Sequence, residues 1–206
     1  MDREARLRKA VLWLKKKDPK LKHIIENVGP CTLEMMGKPY AVLLRAVISQ
    51  QLSGKAAATM EARVKEYYGN GKKFPDPKIL AGLSVAKLRK AGLSVAKSET
   101  IKRIAEAYLD GTISDRKLVK LNDQEVLELL CSLKGVGPWT AEMVLMFSLD
   151  RWDHFSLNDL ILRKAIQRNF GIDENSKKEI LKFTAGFSPY RTILSWYLWR
   201  DHGPWM

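Results

Sequence analysis

The sequence predicts an all-α fold, because helical periodicity recurs along the chain and no sustained strand pattern accompanies it. From Glu99 to Leu109, apolar residues return at the i, i+3, i+4, i+7 spacing of an amphipathic helix, and Asp110-Gly111 follows as a stop signal. From Leu160 to Phe170, an apolar stripe lies opposite a basic one. No Asn-Gly or Asp-Gly hairpin joins two alternating runs, so no β-hairpin is predicted.

The first helix is expected at the start of the chain. An apolar stripe in Met1 to Lys22 consists of Leu7, Val11 and Leu14. The same stretch holds nine Lys or Arg residues against three acids. We therefore expect a helix that packs on the body of the protein and turns a basic side outward.

Serine and proline mark the starts of later helices. Ser53-Gly54 precedes an Ala-rich stretch that ends at Tyr68-Gly69. Ser188-Pro189 fits an N-cap followed by proline at the first helical position. A short repeat places two more serines where an N-cap is expected, namely Ser84 and Ser94.

Composition and charge narrow the class of protein. The chain has 206 residues, 46% of them hydrophobic, with 8 Pro and 13 Gly, so neither a disordered nor a collagen-like class fits. Thirty-six Lys and Arg against 23 Asp and Glu give a formal net charge of +13. Such a basic domain suits a phosphate polymer or an acidic membrane surface. Of the two partners, nucleic acid is favoured.

The sequence contains no segment typical of a membrane or secreted protein and no cysteine spacing typical of a metal site. The apolar runs are shorter than a membrane span of about 18 residues, and Met1 to Arg6 is charged with no apolar region of a signal peptide after it. An intracellular protein is therefore expected. Cys31 and Cys131 lie far apart and outside any metal or disulfide spacing, so no metal site is predicted.

The most distinctive segment runs from Leu133 to Ala141. It contains Gly135-Val136-Gly137 directly before Pro138, and apolar helical patterns flank it. The segment predicts a hairpin of two helices in which both glycines can adopt positive φ and Pro138 begins the second helix. Backbone N–H groups at such a helix N-terminus favour a phosphate oxygen. The alternative is a tight turn whose glycines serve only the chain reversal.

This segment resembles the helix-hairpin-helix of the HhH-GPD DNA glycosylase superfamily. The continuation to Leu149 and through His154 to Leu160 resembles the alkylpurine branch, the AlkA/Mag type of 3-methyladenine DNA glycosylase. Three further blocks in family order support the resemblance: Ser49-Gln50-Gln51-Leu52-Ser53 with Lys55-Ala56-Ala57, Gly92-Leu93-Ser94-x-x-Lys97, and Ser195-Trp196-Tyr197.

The resemblance implies a glycosylase fold of two helical lobes with the active-site cleft between them. One lobe would combine residues 1–40 with 155–206. The other would comprise residues 41–154 and hold the helix-hairpin-helix at about 126–149. The chain lacks room for the extra N-terminal β-domain of some AlkA relatives, so the compact form is expected.

The resemblance also implies a monofunctional N-glycosylase whose essential carboxylate is Asp159. From the residues alone, Ser156-Leu157-Asn158-Asp159 fits a capping box, and an acid in the first turn of a helix is ordinarily structural. The family often has Pro and an acid ahead of the aspartate, whereas this chain has Leu157-Asn158. That departure bears on the fine positioning of the carboxylate.

A carboxylate suits the chemistry of base release. Breaking the bond from C1′ to a base nitrogen develops positive charge on the sugar, which a fixed anion stabilises while it orients or deprotonates the attacking water. A base alkylated at N3 or N7 leaves as a neutral molecule, so it needs no strong acid. No acid partner is predicted, because Glu142 is expected on a helix surface and Asp150 and Asp153 on a connecting loop.

The position after Gly-Val-Gly-Pro separates hydrolysis from lyase chemistry. Bifunctional relatives place a lysine nucleophile there, whereas this chain has Trp139, so no lyase activity is expected. The resemblance makes Trp139 and Trp196 stacking walls of the base pocket and Met143 a further lining residue. Core packing is the alternative for both tryptophans.

The resemblance further implies that the nucleotide is flipped out of the duplex. Gln51 is the expected wedge that fills the gap, with Leu52 close behind, while a polar helix terminus capped by Ser53 is the structural alternative. The residues expected to bind the DNA backbone are Gly135, Val136, Gly137, Thr140, Gly92, Ser94 and Lys97.

The expected activity is hydrolytic release of alkylated purines from duplex DNA, which starts base excision repair. We expect no required cofactor. A monovalent cation bound by backbone carbonyls of the hairpin stays an open alternative. The expected partner is damaged double-stranded DNA, bound by a monomer in the cytoplasm or nucleoid, or in a eukaryotic nucleus. Two alternatives remain: another lesion (uracil, hypoxanthine or oxidised guanine), or a non-catalytic helix-hairpin-helix module that recognises DNA structure.

Overall fold

The computed structural model describes residues 2–203, and throughout that range it contains helices and no strand. The predicted all-α class is therefore confirmed for the described part of the chain. The thirteen helices found there are α1 Arg3–Lys17, α2 Pro19–Val28, α3 Pro39–Ser49, α4 Gly54–Tyr68, α5 Pro77–Gly82, α6 Val85–Lys90, α7 Val95–Leu109, α8 Asp115–Lys120, α9 Asp123–Cys131, α10 Pro138–Phe147, α11 Leu160–Phe170, α12 Lys177–Ala185 and α13 Arg191–His202.

The described chain divides into two compact units, the first formed by residues 2–34 with 150–203. Within it, α13 packs against α1, α2 and α11. Helix α13 is buried along nearly its whole length, and Tyr197 and Trp199 are among its largest buried side chains. The Tyr197 hydroxyl donates to the Gly29 carbonyl at 3.2 Å. Because α13 is buried on every side, it serves as the central helix of this unit.

The second unit comprises residues 35–149 and is organised around α3. Helix α3 is buried at most positions and packs against α4, α7, α8 and α10. Asp115 accepts hydrogen bonds from the Tyr40 N–H and the Tyr108 hydroxyl, each at 3.0 Å. The carboxylate from α8 thereby satisfies a donor in the first turn of α3. Among the helices of residues 2–203, none has the length and apolar character needed to cross a membrane.

Serine caps are confirmed at three of the four predicted positions. The side chains of Ser53, Ser84 and Ser94 accept hydrogen bonds from backbone N–H groups of α4, α6 and α7. The prediction for Ser188 is wrong, because α13 begins at Arg191 with Tyr190 as its N-cap. The Ser188 hydroxyl instead donates to Asp153 Oδ2 at 2.7 Å.

The N-terminal stretch forms two helices where the sequence indicated one. Asp18 interrupts the pattern, since its side chain accepts hydrogen bonds from the N–H groups of Lys20 and Leu21 and so caps α2. Pro19 then occupies the first helical position, where its missing N–H does no harm. Helix α1 packs on α2 and α13 as expected, with Leu7 and Leu14 buried; Met1 lies outside the described residues.

Candidate active site

The predicted hairpin forms between α9 and α10. The Val136 N–H donates to the Leu133 carbonyl at 2.9 Å, which closes the turn, and Pro138 begins α10. Gly135 has φ +97°, as predicted. Gly137 does not have positive φ; it is the N-cap of α10 with φ −99° and ψ 175°. The following proline explains this, because it confines the preceding residue to extended backbone.

Gly135 fits closely against α7. A Cβ on this residue would lie 2.0 Å from Thr100 Oγ1 and 2.9 Å from Thr100 Cγ2. Thr100 is itself 4% exposed, and its hydroxyl donates to the Ala96 carbonyl at 2.9 Å, so it has little freedom to move. Glycine is therefore required here both for φ and for space. Gly137, by contrast, would place a Cβ in open space.

The other hairpin residues predicted to bind the DNA backbone differ in exposure and in whether their hydrogen-bonding groups are already used. Val136 is 5% exposed, and its N–H is used inside the turn, so its contacts in the structure are those of packing. Thr140 is 1% exposed, and its hydroxyl accepts a hydrogen bond from Gln50. The first turn of α10 still presents N–H groups with no acceptor within the helix. Gly137 and Thr140 belong to that turn.

The second predicted group of DNA-backbone residues lies at the start of α7. Gly92 is exposed with φ +95°, and Ser94 caps the helix by accepting from the Lys97 N–H at 3.2 Å. The Lys97 ammonium points elsewhere: Nζ donates to the carbonyls of Ile48 and Gln50, each at 2.7 Å. Burial lowers the pKa of Lys97 below its ordinary value.

The predicted wedge residues lie between α3 and α4. Gln51 is exposed and adopts φ +56°, which is unusual for a residue other than glycine. Leu52 is half-buried, and its N–H donates to the Ser49 carbonyl at 3.2 Å. Gln51 is thus the more exposed of the two candidate side chains, and its role as the wedge stays a prediction.

Asp159 lies in the other unit, as the N-cap of α11. It is 4% exposed, and its Oδ1 accepts a hydrogen bond from the Leu162 N–H at 2.9 Å. The positive end of a helix favours negative charge at this position. The predicted capping box is wrong in its register, because Asp159 is itself the N-cap and Ser156 lies three residues before that N-cap.

The other carboxylates near Asp159 in sequence hold structure together. Asp150 forms an ion pair with Arg3 at 2.8 Å and also accepts from Trp152 Nε1 at 2.8 Å. Asp153 pairs with Arg191 at 2.7 Å. Burial would raise the pKa of Asp153, but the hydrogen bonds and charge of Arg191 outweigh it, so the pKa lies below its ordinary value. Neither loop carboxylate is placed to act as a proton-donating acid.

The predicted pocket residues are divided between the units. Trp139 is half-buried in the first turn of α10, and Met143 lies four residues later on the same helix face and is 4% exposed. Trp196 belongs to α13 and is 7% exposed. The Arg200 guanidinium lies 5.0 Å from the centre of the Trp196 ring, and Tyr197 meets that ring edge-on. Asp159 and Trp196 are on α11 and α13, which pack together.

A cation at the hairpin stays a prediction. The turn offers neutral carbonyl oxygens, which are suitable ligands for a hard monovalent ion. Two of them, on Leu133 and Gly135, already accept hydrogen bonds from Val136 N and Gln50 Nε2, and each retains a second lone pair. Within residues 2–203, no cluster of three or more His, Cys, Asp or Glu side chains could hold a metal ion.

Comparison with known proteins gives the family directly. Residues 44–189 match the family described as HhH-GPD superfamily base excision DNA repair protein. The chain belongs to this superfamily. Its resemblance to the AlkA/Mag type is confirmed, as is the all-α helix-hairpin-helix glycosylase fold.

Two proteins from Schizosaccharomyces pombe are similar to nearly the whole chain. The alkylbase DNA glycosidase-like protein mag2 is 33% identical over 97% of this chain and 96% of its own length. The DNA-3-methyladenine glycosylase 1 is 35% identical over 94% of this chain and 87% of its own length. The solved structure of S. pombe Mag1 in complex with abasic DNA has a TM-score of 0.86, at 35% identity, and covers 93% of this chain and 95% of Mag1.

Sequence reasoning missed three contacts of the hairpin and of the turn after α3. They are Thr100 beneath Gly135, the side chain of Gln50, and the contact of the Lys97 ammonium with α3. Gln50 and Lys97 stood in recognised motifs, but only their spatial neighbours reveal what they bind. Thr100 carried no sequence signal beyond its place on the buried face of α7.

Proposed function

We propose that the protein is a monofunctional DNA glycosylase that flips alkylated purines of the 3-methyladenine type out of duplex DNA and releases them by hydrolysis. The observation that carries this proposal is Asp159, a buried carboxylate held by a helix N-terminus in a chain of this superfamily. A fixed anion of this kind stabilises the positive charge that develops on the sugar as the base leaves.

The residues around the hairpin support the monofunctional part of the proposal. The first turn of α10 carries Trp139, which has no amine to form a Schiff base with C1′. Asp150 and Asp153 are engaged with arginines, so the proposal requires a base that leaves without a proton from either of them. A purine that carries a positive charge from alkylation meets that requirement, which supports an alkylated substrate over uracil.

The basic character of the chain and its two helix starts support DNA as the partner. A formal net charge of +13 attracts a phosphate polymer. The N-termini of α7 and α10, at Ser94 and Gly137, follow glycine-containing turns and leave backbone N–H groups with no acceptor within the helix. The S. pombe relatives support the same partner. One is a DNA-3-methyladenine glycosylase, and the solved Mag1 structure contains abasic DNA.

The test is a panel of duplexes, each with a single lesion. The lesions are 3-methyladenine, 7-methylguanine, 1,N6-ethenoadenine, uracil, hypoxanthine and 8-oxoguanine, with an undamaged duplex as control. Abasic sites are revealed by cleavage in alkali. We expect abasic sites from the alkylated purines and none from undamaged DNA. Release of another base alone would change the substrate, and binding to every duplex without release would indicate a non-catalytic DNA-binding module.

A further inference from the structure

The turn that carries Gln51 is held by two sets of side-chain hydrogen bonds, both made at residues that directly precede Gln51. Lys97 Nζ donates to the carbonyls of Ile48 and Gln50, each at 2.7 Å. These carbonyls stand at the C-terminal end of α3, where backbone acceptors lack partners within the helix. A cation at that end is favoured by the helix dipole as well.

The Gln50 side chain makes the second connection. Its Nε2 donates to the Gly135 carbonyl at 3.1 Å and to Thr140 Oγ1 at 2.9 Å. Gly135 is in the hairpin turn and Thr140 is in the first turn of α10, so one amide group joins the wedge turn to both parts of the helix-hairpin-helix. This contact spans 85 and 90 residues of sequence.

Both connections end at helix starts proposed to bind the DNA backbone. Lys97 is the third residue of α7, whose N-cap is Ser94, and Thr140 is the third residue of α10, whose N-cap is Gly137. The wedge turn is thus fastened to the two elements that would hold phosphate. A shift of either element relative to DNA would move the turn with it.

The backbone of Gln51 needs such support. A non-glycine residue at φ +56° is held in a conformation that costs about 1–2 kcal/mol in isolation. Conformations of this kind persist where the surroundings enforce them. Here the flanking residue Gln50 is fixed through its carbonyl by Lys97 and through its side chain by the hairpin, while the Gln51 side chain remains exposed.

We propose that Lys97 and Gln50 are positioning residues for insertion of the wedge into the duplex. Together they hold Gln51 where it fills the gap left by a flipped nucleotide. This inference rests on the proposed glycosylase function. Neither residue is required to touch DNA or the reacting atoms. Their contribution is to set the geometry of the wedge before DNA arrives, which lowers the ordering cost of nucleotide flipping.

The inference predicts a particular pattern of activity. In a duplex, flipping must unstack and unpair the lesion, so a misplaced wedge slows the reaction. In a single strand, no partner base is left unpaired, so wedge geometry matters little. The ratio of base release from duplex and single-stranded substrates therefore reports on positioning, whereas a general loss of folding or catalysis lowers both.

The experiment compares Lys97→Met and Gln50→Leu with wild type. Lys97→Met removes the two hydrogen bonds to the carbonyls of Ile48 and Gln50, and Gln50→Leu removes the two to Gly135 and Thr140. Each substitution keeps a similar side-chain volume. We expect the ratio of duplex to single-strand release to fall about tenfold or more in each, in line with the loss of charge-assisted or buried hydrogen bonds. Lys97→Arg should recover most of the ratio, because a guanidinium can also donate to two carbonyls.

Lys102 supplies a matched control on the same helix. Its ammonium donates to the carbonyls of Ala81 and Leu83, at the end of α5, so it makes the same kind of contact away from the wedge turn. Lys102→Met should leave the ratio within twofold of wild type. An equal fall in the ratio for Lys102→Met, or a parallel loss on both substrates for Lys97→Met and Gln50→Leu, would overturn the inference.

A readout independent of bond cleavage separates this inference from the proposed function. A duplex with 2-aminopurine beside the lesion fluoresces more strongly when the neighbouring base is flipped. We expect the rise with wild type and Lys102→Met, and a much smaller rise with Lys97→Met. Wild type that flips without releasing any base would contradict the proposed function alone. A rise in fluorescence with Lys97→Met as large as that with wild type would contradict the positioning role, whatever the rate of base release.

Discussion

Gly135 and Thr100 meet so closely that no side chain fits between the hairpin and α7. A Cβ on Gly135 would fall 2.0 Å from the Thr100 hydroxyl oxygen, and the glycine also has φ +97°. The turn of the helix-hairpin-helix is therefore set against α7 by contact as well as by its own backbone preference. That contact fixes the carbonyl to which Gln50 binds.

Gly135→Ala should destabilise the protein by about 2–4 kcal/mol. The estimate combines the cost of a left-handed backbone for alanine with that of forcing the added Cβ against the buried side chain of Thr100. Gly137→Ala is the matched control, since its φ is −99° and the added Cβ meets nothing within 4 Å. It should lose no more than about 1 kcal/mol, the cost of replacing glycine at an N-cap.

Urea unfolding followed by circular dichroism measures both glycine variants. Equal stability losses at the two positions would contradict the close approach of Gly135 to Thr100. If folded Gly137→Ala binds DNA weakly, the loss reports on the phosphate contact proposed for the start of α10.

Asp159→Asn should abolish most base release while the fold stays intact. Asparagine keeps an oxygen that accepts the Leu162 N–H and is as good an N-cap as aspartate, but it removes the negative charge. We expect release of 3-methyladenine to fall roughly 10²-fold or more, with abasic-DNA binding retained. Single-turnover assays and thermal melting measure the two properties separately.

Asp159→Ala adds a test of the capping contact. It removes both the charge and the acceptor, so it should also lose about 1 kcal/mol of stability relative to Asp159→Asn. Base release by either variant within a few-fold of wild type would exclude the proposed role of Asp159 in the chemistry.

Borohydride should trap no covalent complex between the protein and lesion-containing DNA. Trapping needs a Schiff base from an amine at C1′, and the residue after Pro138 is Trp139. Denaturing electrophoresis after reduction reveals an adduct, with a known bifunctional glycosylase as positive control. A band of slower mobility with this protein would show lyase chemistry from another amine.

The stabilising effect of the Asp153–Arg191 pair should depend on pH. The pKa of Asp153 is lowered in the folded protein: burial raises it, but the hydrogen bonds and charge of Arg191 lower it by more. The unfolded chain therefore binds the proton more readily, so the pair stabilises the fold above about pH 4. This contribution disappears as the pH falls through the native pKa.

Arg191→Gln should accordingly be less stable than wild type by about 1 kcal/mol at pH 7, with the difference shrinking toward pH 3. Urea unfolding at a series of pH values measures it. Arg8→Gln is the control, because Arg8 pairs with Glu4 on an exposed helix face and should change stability less. A difference for Arg191→Gln that stays constant from pH 7 to pH 3 would contradict the lowered pKa.

Local sequence chemistry predicted much of the secondary structure correctly. The bounds of α11 and the caps Ser53, Ser84 and Ser94 follow from apolar periodicity and from side chains that bind their own backbone. Where two local signals competed, the outcome was different. Asp18-Pro19 ended α1 although the basic, amphipathic pattern continued, and Pro138 kept Gly137 in extended backbone although glycine permits positive φ.

The candidate site was only partly predictable, because competing local signals also decide where its helices begin. Asp159, Trp139 and Gln51 were identified through family motifs, which give a residue's place in the chain and not its neighbours in space. That Asp159 is the N-cap of α11, and Ser156 is not, depended on where the helix begins, and similar start signals three residues apart compete for that place.

The sequence by itself determined the helical class, the hairpin turn and the family, because these depend on residues that are neighbours in the chain. Only the tertiary structure decided that Lys97 binds the end of α3, that Gln50 binds the hairpin, and that Thr100 leaves room for glycine alone at position 135. Each of these contacts joins residues 35 or more positions apart, where the packing of helices, and no spacing in the sequence, sets the distance.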